Sequence, residues 1–231
     1  MVRMDSLQKT ARIAGILYII GTVAGILSLL TAGAAVHSSD YLAKLAEKSG
    51  GVVLGALFIL VMGISLSLIP IVLFPVFKRY NEALALGAVV FRGVLELLAY
   101  MGVAFSWLLL STLSYKYLRA GAAELSSFQL IGTMLLEVES RFSNMLDIVF
   151  SIGALFIYYL FYKTSLVPAW LSLWGLIGAI LYFSYPVLFM LGFDIGIVQL
   201  PLAIQEMVMA AWLIVRGFEA DGIEALSSKR V

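Results

Sequence analysis

The sequence has no cysteine and a single histidine, His37. Without thiols there is no disulfide, no thiolate nucleophile, no iron–sulfur cluster and no cysteine-ligated zinc. One imidazole excludes multi-histidine metal centres and the H-E-x-x-H zinc signature. Charge is scarce too. Asp, Glu, Lys and Arg make up 13% of the 231 residues, where soluble domains carry about 25%. The net charge is +1, so no basic surplus points to a nucleic-acid partner. No segment reads as a strand, so no Gly-rich phosphate loop has the strand it needs before it. No cofactor is expected.

What the chain has is apolar surface. Hydrophobic residues make up 62% of it and its mean hydropathy is +1.04. A soluble fold, at about 45–50% apolar, could not bury such a share, so the lipid bilayer is the expected partner of much of the surface. A membrane-crossing helix needs about 20 mostly apolar residues. Six segments qualify: 13–36, 52–77, 83–110, 142–161, 168–191 and 200–217. The first follows Lys9 and Arg12 and superficially resembles a signal peptide with Gly33 and Ala35 at its cleavage site. Its apolar run is too long for that, and a retained helix is expected. The expected fold is an all-α membrane protein: one integral domain, a bundle of six transmembrane helices.

Lys and Arg near the span ends set the orientation. One side carries Arg3, Lys9, Arg12, Lys78, Arg79, Lys163, Arg216, Lys229 and Arg230. The other carries Lys44, Lys48, Lys116, Arg119 and Arg141. The richer side should face the cytoplasm, with both termini there, in a multi-pass protein of the cell membrane. Between the third and fourth spans, Ser126 and Gln129 have capping-box spacing. Phe128, Ile131, Leu135 and Val138 then recur at helical intervals. This predicts a helix at the outer face that covers the bundle, runs into the fourth span, or closes as a lid over a cavity. Pro70-Ile-Val-Leu-Phe74 and Pro186-Val-Leu-Phe189 lie at similar depths in spans of opposite direction. Inverted repeats of transporters do this, but a four-residue match also arises by chance.

The informative residues are the charges inside the spans. A charge at the bilayer centre costs about 2.5–3.5 kcal/mol on insertion scales. Arg92, Glu96 and Tyr100 follow at intervals of four in the third span. Glu137, Arg141, Asn144, Asp147 and Ser151 share one face of the fourth. Gln199 and Glu206, seven apart, share a face of the sixth. Lipid satisfies none of these groups, so all three faces should turn inward. The depths suggest a funnel open to the outside with Arg92 towards its floor. If Arg92 pairs with Glu96, Asp147 and Glu206 lack an obvious basic partner. Carboxyl groups so placed are the material of proton relays. Equally, buried polar residues hold helices together, at about 0.6 kcal/mol each.

A catalytic assignment finds little support. A Ser–His pair would need His37, at the outer end of the first span. An aspartyl dyad would need Asp147 to face Asp194. Three carboxylates can ligate a hard cation, but this spacing is not diagnostic. No catalytic or metal-binding residue is assigned.

The stretch Lys9-Thr-Ala-Arg12-Ile-Ala-Gly15-Ile-Leu-Tyr18 resembles the opening of the DUF4386 family, uncharacterised bacterial and archaeal membrane proteins. So does Phe91-Arg92 with Glu96. The stretch from Asp147 to Tyr182, including Val167-Pro168-Ala-Trp170, is similar to the family's most recognisable part. Pro201, Glu206 and Trp212-Leu-Ile-Val-Arg216-Gly217 fit its close. Gln205 stands where a small residue is expected. The resemblance implies six spans and draws attention to Arg92, Glu96, Asp147 and Glu206; it implies no activity.

The resulting expectation is an intramembrane polar pocket of Arg92, Glu96, Tyr100, Arg141, Asn144, Asp147, Gln199 and Glu206. It would bind or transport a small molecule or ion, coupled to protons. The competing readings are a non-catalytic membrane component that binds another protein and an intramembrane lipid-modifying enzyme.

Overall fold

The computed structural model describes residues 2–121 and 124–228. Lys229 and Arg230, used above for orientation, lie outside the described residues. The chain begins with α1 (Val2–Ser28), a π-helical turn (Leu29–Gly33) and α2 (Ala34–Val36). Short α3 (Tyr41–Glu47) leads to α4 (Ser49–Phe77). Next come α5 (Glu82–Ala88), a second π-helical segment (Val89–Leu95) and α6 (Glu96–Tyr117). Then follow α7 (Leu125–Thr164), α8 (Ala169–Met190), a 3-10 turn (Gly196–Gln199), α9 (Leu200–Val215) and α10 (Ala220–Ser228). No strand occurs among the described residues.

Six helical stretches are long and apolar enough to cross a membrane: Asp5–Val36, Gly50–Phe77, Glu82–Tyr117, Leu125–Thr164, Ala169–Met190 and Gly196–Val215. Their outward residues are exposed and aliphatic, among them Leu30, Ile177 and Val215, an apolar surface that water does not tolerate and lipid does. Each predicted span falls on one of these stretches. The helix anticipated after the third span is not separate. It is the first part of α7, which runs unbroken for 40 residues, about 60 Å at 1.5 Å per residue. No proline interrupts it, and Ser126 lies within its first turn. The backbone N–H of Phe128 bonds the carbonyl of Glu124, so capping starts earlier than the capping-box spacing suggested. The Asn81 side chain caps α5 by accepting the Leu84 N–H at 3.0 Å. Pro70 and Pro186 both lie inside helices.

The chain forms two compact units. The first comprises Met1–Ile20, Ser65–Leu97 and Leu146–Val231; the second comprises Gly21–Ile64 and Leu98–Met145. Within the first, Gly217 follows the end of α9, and its φ of +74° is open to glycine without strain. Its N–H returns to the Trp212 carbonyl at 3.1 Å. This turn presents the backbone of Phe218 to Gln8 of α1. The Gln8 amide donates to the Phe218 carbonyl at 2.7 Å and accepts the Phe218 N–H at 2.8 Å. Trp170 packs against Trp174 and, edge-on, against Trp212, and the Arg216 guanidinium lies over Trp212. Aromatics backed by a cation are typical of a membrane–water boundary.

A Cβ on Gly217 would fall on the Gln8 amide, and the left-handed backbone itself costs an alanine about 1–2 kcal/mol. Gly217→Ala should therefore lower the thermal unfolding midpoint in detergent by several degrees, whereas Gln8→Ala, which only loses the two hydrogen bonds, should lower it less. An unchanged midpoint for Gly217→Ala would show that the clasp contributes nothing.

In the second unit Tyr100 packs its ring on Gly63, and Phe142 lies against Gly102. The Tyr41 hydroxyl donates to the Gln129 carbonyl at 3.3 Å, tying α3 to α7. Tyr117 and Phe128 meet edge-on.

Candidate functional site: an arginine shared by two carboxyl groups

Arg92 sits in the π-helical segment Val89–Leu95 of the third span. A π turn bonds i to i+5 and so carries an extra residue; such turns concentrate at functional positions. Opposite it, α7 brings Gly153 so close that a Cβ there would lie 2.7 Å from the Arg92 backbone nitrogen. Glycine on α7 thus lets the widened turn seat against its neighbour. Arg92 is wholly buried, as is Glu96.

The guanidinium serves two carboxyl groups. Its Nη2 donates to Glu206 Oε1 of α9 at 2.7 Å. Its Nη1 lies 3.4 Å from Glu96 Oε2 and 3.5 Å from Oε1. The sequence-distant partner is therefore the tighter one. The Tyr158 hydroxyl of α7 donates to the same Glu206 oxygen at 3.5 Å. The guanidinium carbon stands 4.1 Å from the centre of the Phe150 ring and 5.9 Å from that of Tyr18, within cation–π range. Arg92 Nε finds no hydrogen-bond acceptor among the described residues. The Glu206 side chain retains 12% exposure, where Arg92 and Glu96 have none. A buried guanidinium is tolerable only when paired and hydrogen-bonded, and here four elements converge on it.

A second polar group includes Tyr182, which contacts Phe150. Asp147, half-buried on α7, accepts from the Tyr182 hydroxyl of α8 at 3.1 Å and from the Gln199 amide at 3.3 Å. The Phe150 and Tyr182 rings are 4.7 Å apart. Phe150 therefore touches both the arginine and the aspartate's tyrosine. Phe150 thus links a largely buried ion cluster to the tyrosine that donates to a half-buried carboxylate.

The structure thus brings Arg92, Glu96 and Glu206 together and joins Asp147 to Gln199. It corrects one inference. Glu206 does not want for a basic partner, since it is the nearer ligand of Arg92. Asp147 instead takes neutral donors. Tyr100, Arg141 and Asn144 belong to the second unit. Tyr100 is buried, Asn144 is buried, and Arg141 is exposed. Helical spacing placed them on the same stripes as Glu96 and Asp147, but a stripe along a helix of this length meets different neighbours at different heights. Tyr18, Phe150, Tyr158 and Tyr182 were not legible as site residues because an aromatic residue in an apolar span looks like a lipid contact. Gln205 turns away from the cluster: its amide donates to the Leu171 carbonyl at 3.0 Å and ties α9 to α8. Among the described residues no three His, Asp or Glu side chains are grouped to hold a metal ion.

A family model described as a domain of unknown function, DUF4386, matches residues 13–217. No curated protein and no solved structure matches the chain.

Proposed function

We propose, for a chain that belongs to the DUF4386 family, that the Arg92 cluster binds a small molecule or ion within the membrane and couples its passage to a proton. The observation that carries this reading is the sharing of one buried guanidinium by two carboxyl groups from separate spans. One cation with two potential anions is a competitive arrangement. An arriving anionic group can replace a carboxylate on Arg92, and the displaced carboxylate can take up a proton. Glu206, the partly exposed member, is the one an incoming group reaches first. Asp147, half-buried, is the group that would exchange protons with water. The orientation, with both termini cytoplasmic in the cell membrane, rests on the Lys and Arg asymmetry alone.

In liposomes holding purified protein and a pH-sensitive dye, an imposed pH gradient should collapse faster than in empty liposomes. Glu206→Gln should reduce that rate at least tenfold while the protein stays folded, and Asp147→Asn should reduce it less. Equal rates for wild type and Glu206→Gln would remove the reading.

The complete burial of Arg92 and Glu96 favours one other reading, in which the cluster only holds helices together in a component that serves another protein. In that case Glu96→Gln loses thermal stability, and no variant changes proton movement.

A further inference from the structure

The second unit carries a polar hollow of its own. It measures about 430 Å³ and is lined by Val36, His37, Leu136, Glu139, Ser140 and Ser143, among others. That volume suits a small metabolite. Its lining includes a carboxyl group of low exposure. Glu139 is only 7% exposed, and its hydrogen-bond partner is the Ser143 hydroxyl at a long 3.4 Å. Among the described residues it forms no ion pair. Arg141, two residues along α7, is exposed and does not line the hollow. No lysine or arginine lines it among the described residues. The one titratable neighbour in the lining is His37, which is exposed.

A carboxylate that lines a hollow takes its counter-charge and donors largely from whatever fills that space. The protein supplies one weak donor and leaves space beside it. Val36 and Leu136 give the space apolar walls, while Ser143 offers a hydroxyl oxygen beside the carboxylate and Ser140 another in the same lining. The lining is therefore that of a site for a cation with a short aliphatic body. We infer that this hollow binds a small organic ammonium ion, with Glu139 as counter-ion and the serine hydroxyls accepting its remaining N–H groups. An anion finds no cationic group there apart from the imidazole. A neutral molecule leaves the carboxylate uncompensated. The site is built wholly within the second unit and does not depend on the Arg92 cluster.

Three probes of one shape separate these cases: propylammonium, propanol and propionate, each titrated calorimetrically into the full chain in detergent. Propylammonium should bind saturably, with Kd of about 1 mM or tighter, and the other two should not. Because a hydrogen bond to a charged group is among the stronger polar contacts, Glu139→Gln should weaken propylammonium by about tenfold or more. Leu136→Trp, which fills the hollow and leaves the charge in place, should weaken it as well. Should Glu139→Gln fail to fold, the three probes and Leu136→Trp decide the matter. Absence of saturable propylammonium binding, preference for propionate, or wild-type affinity in both variants would overturn the assignment.

Discussion

Arg92→Met should destabilise the protein by about 3–5 kcal/mol, the usual cost of removing one member of a buried ion pair. The cost comes from what remains. Glu96 keeps no described cationic partner, and Glu206 keeps only the Tyr158 hydroxyl at 3.5 Å. The expected signature is therefore reversal, and not merely loss. Adding Glu96→Gln and Glu206→Gln to Arg92→Met removes the stranded carboxyl groups and should restore most of the stability, because an apolar or neutral core of similar volume often equals a buried ion network. Arg92→Lys should fall between. An ammonium keeps the charge but offers no planar fork to reach two carboxyl groups and no flat face to lie on Phe150 at 4.1 Å. Thermal or denaturant unfolding of the four proteins in detergent measures this. If the triple variant is no more stable than Arg92→Met, the two carboxyl groups are not what makes the arginine necessary.

Gly153→Val should cost nearly as much by a different route. The contact it breaks is between backbones: the added Cβ would meet the Arg92 nitrogen at 2.7 Å and its Cα at 2.9 Å. No rotamer change relieves this, so α7 must move off the π segment. Overpacking costs about 1–3 kcal/mol when side chains can yield; here they cannot, and the upper end applies. Tyr158 and Phe150 ride on α7, so the shift also withdraws a donor from Glu206 and the ring from the guanidinium. Gly153→Ala should show the same loss in smaller measure. On the proposed function, proton movement should fall with Gly153→Val even at temperatures where the protein remains folded, because the geometry of the Arg92 cluster changes before the bundle melts. Wild-type stability in Gly153→Val would mean that the close approach is not needed.

The six spans were legible because a run of about 20 apolar residues has few alternatives in water or lipid. Arg92 and Glu96 were legible as a pair because four residues is the reach of one helical turn. Gln199 was legible as a polar residue facing inward, though not as the donor to Asp147. Glu206 was legible as a misplaced charge, but its partner was not. One hundred and fourteen residues separate it from Arg92, and no local spacing encodes which face of α9 meets which face of the third span. The fate of Ser126 illustrates the limit in the other direction. The spacing correctly announced a helix there, yet only the absence of a break showed that it and the fourth span belong to one continuous helix.

By itself, then, the order of residues determined that the chain is helical, that six of its stretches suit a membrane, and that a few ionisable groups lie where lipid would reject them. Those properties depend on neighbours a turn or two away. Folding decided the rest: that Glu206 and not Glu96 is the closer ligand of Arg92, that a π turn seated on Gly153 holds the arginine, and that Phe150 contacts both Arg92 and the tyrosine that donates to Asp147. These depend on which helix faces meet, and that is settled by steric fit summed over whole helices, a quantity no short window of sequence contains.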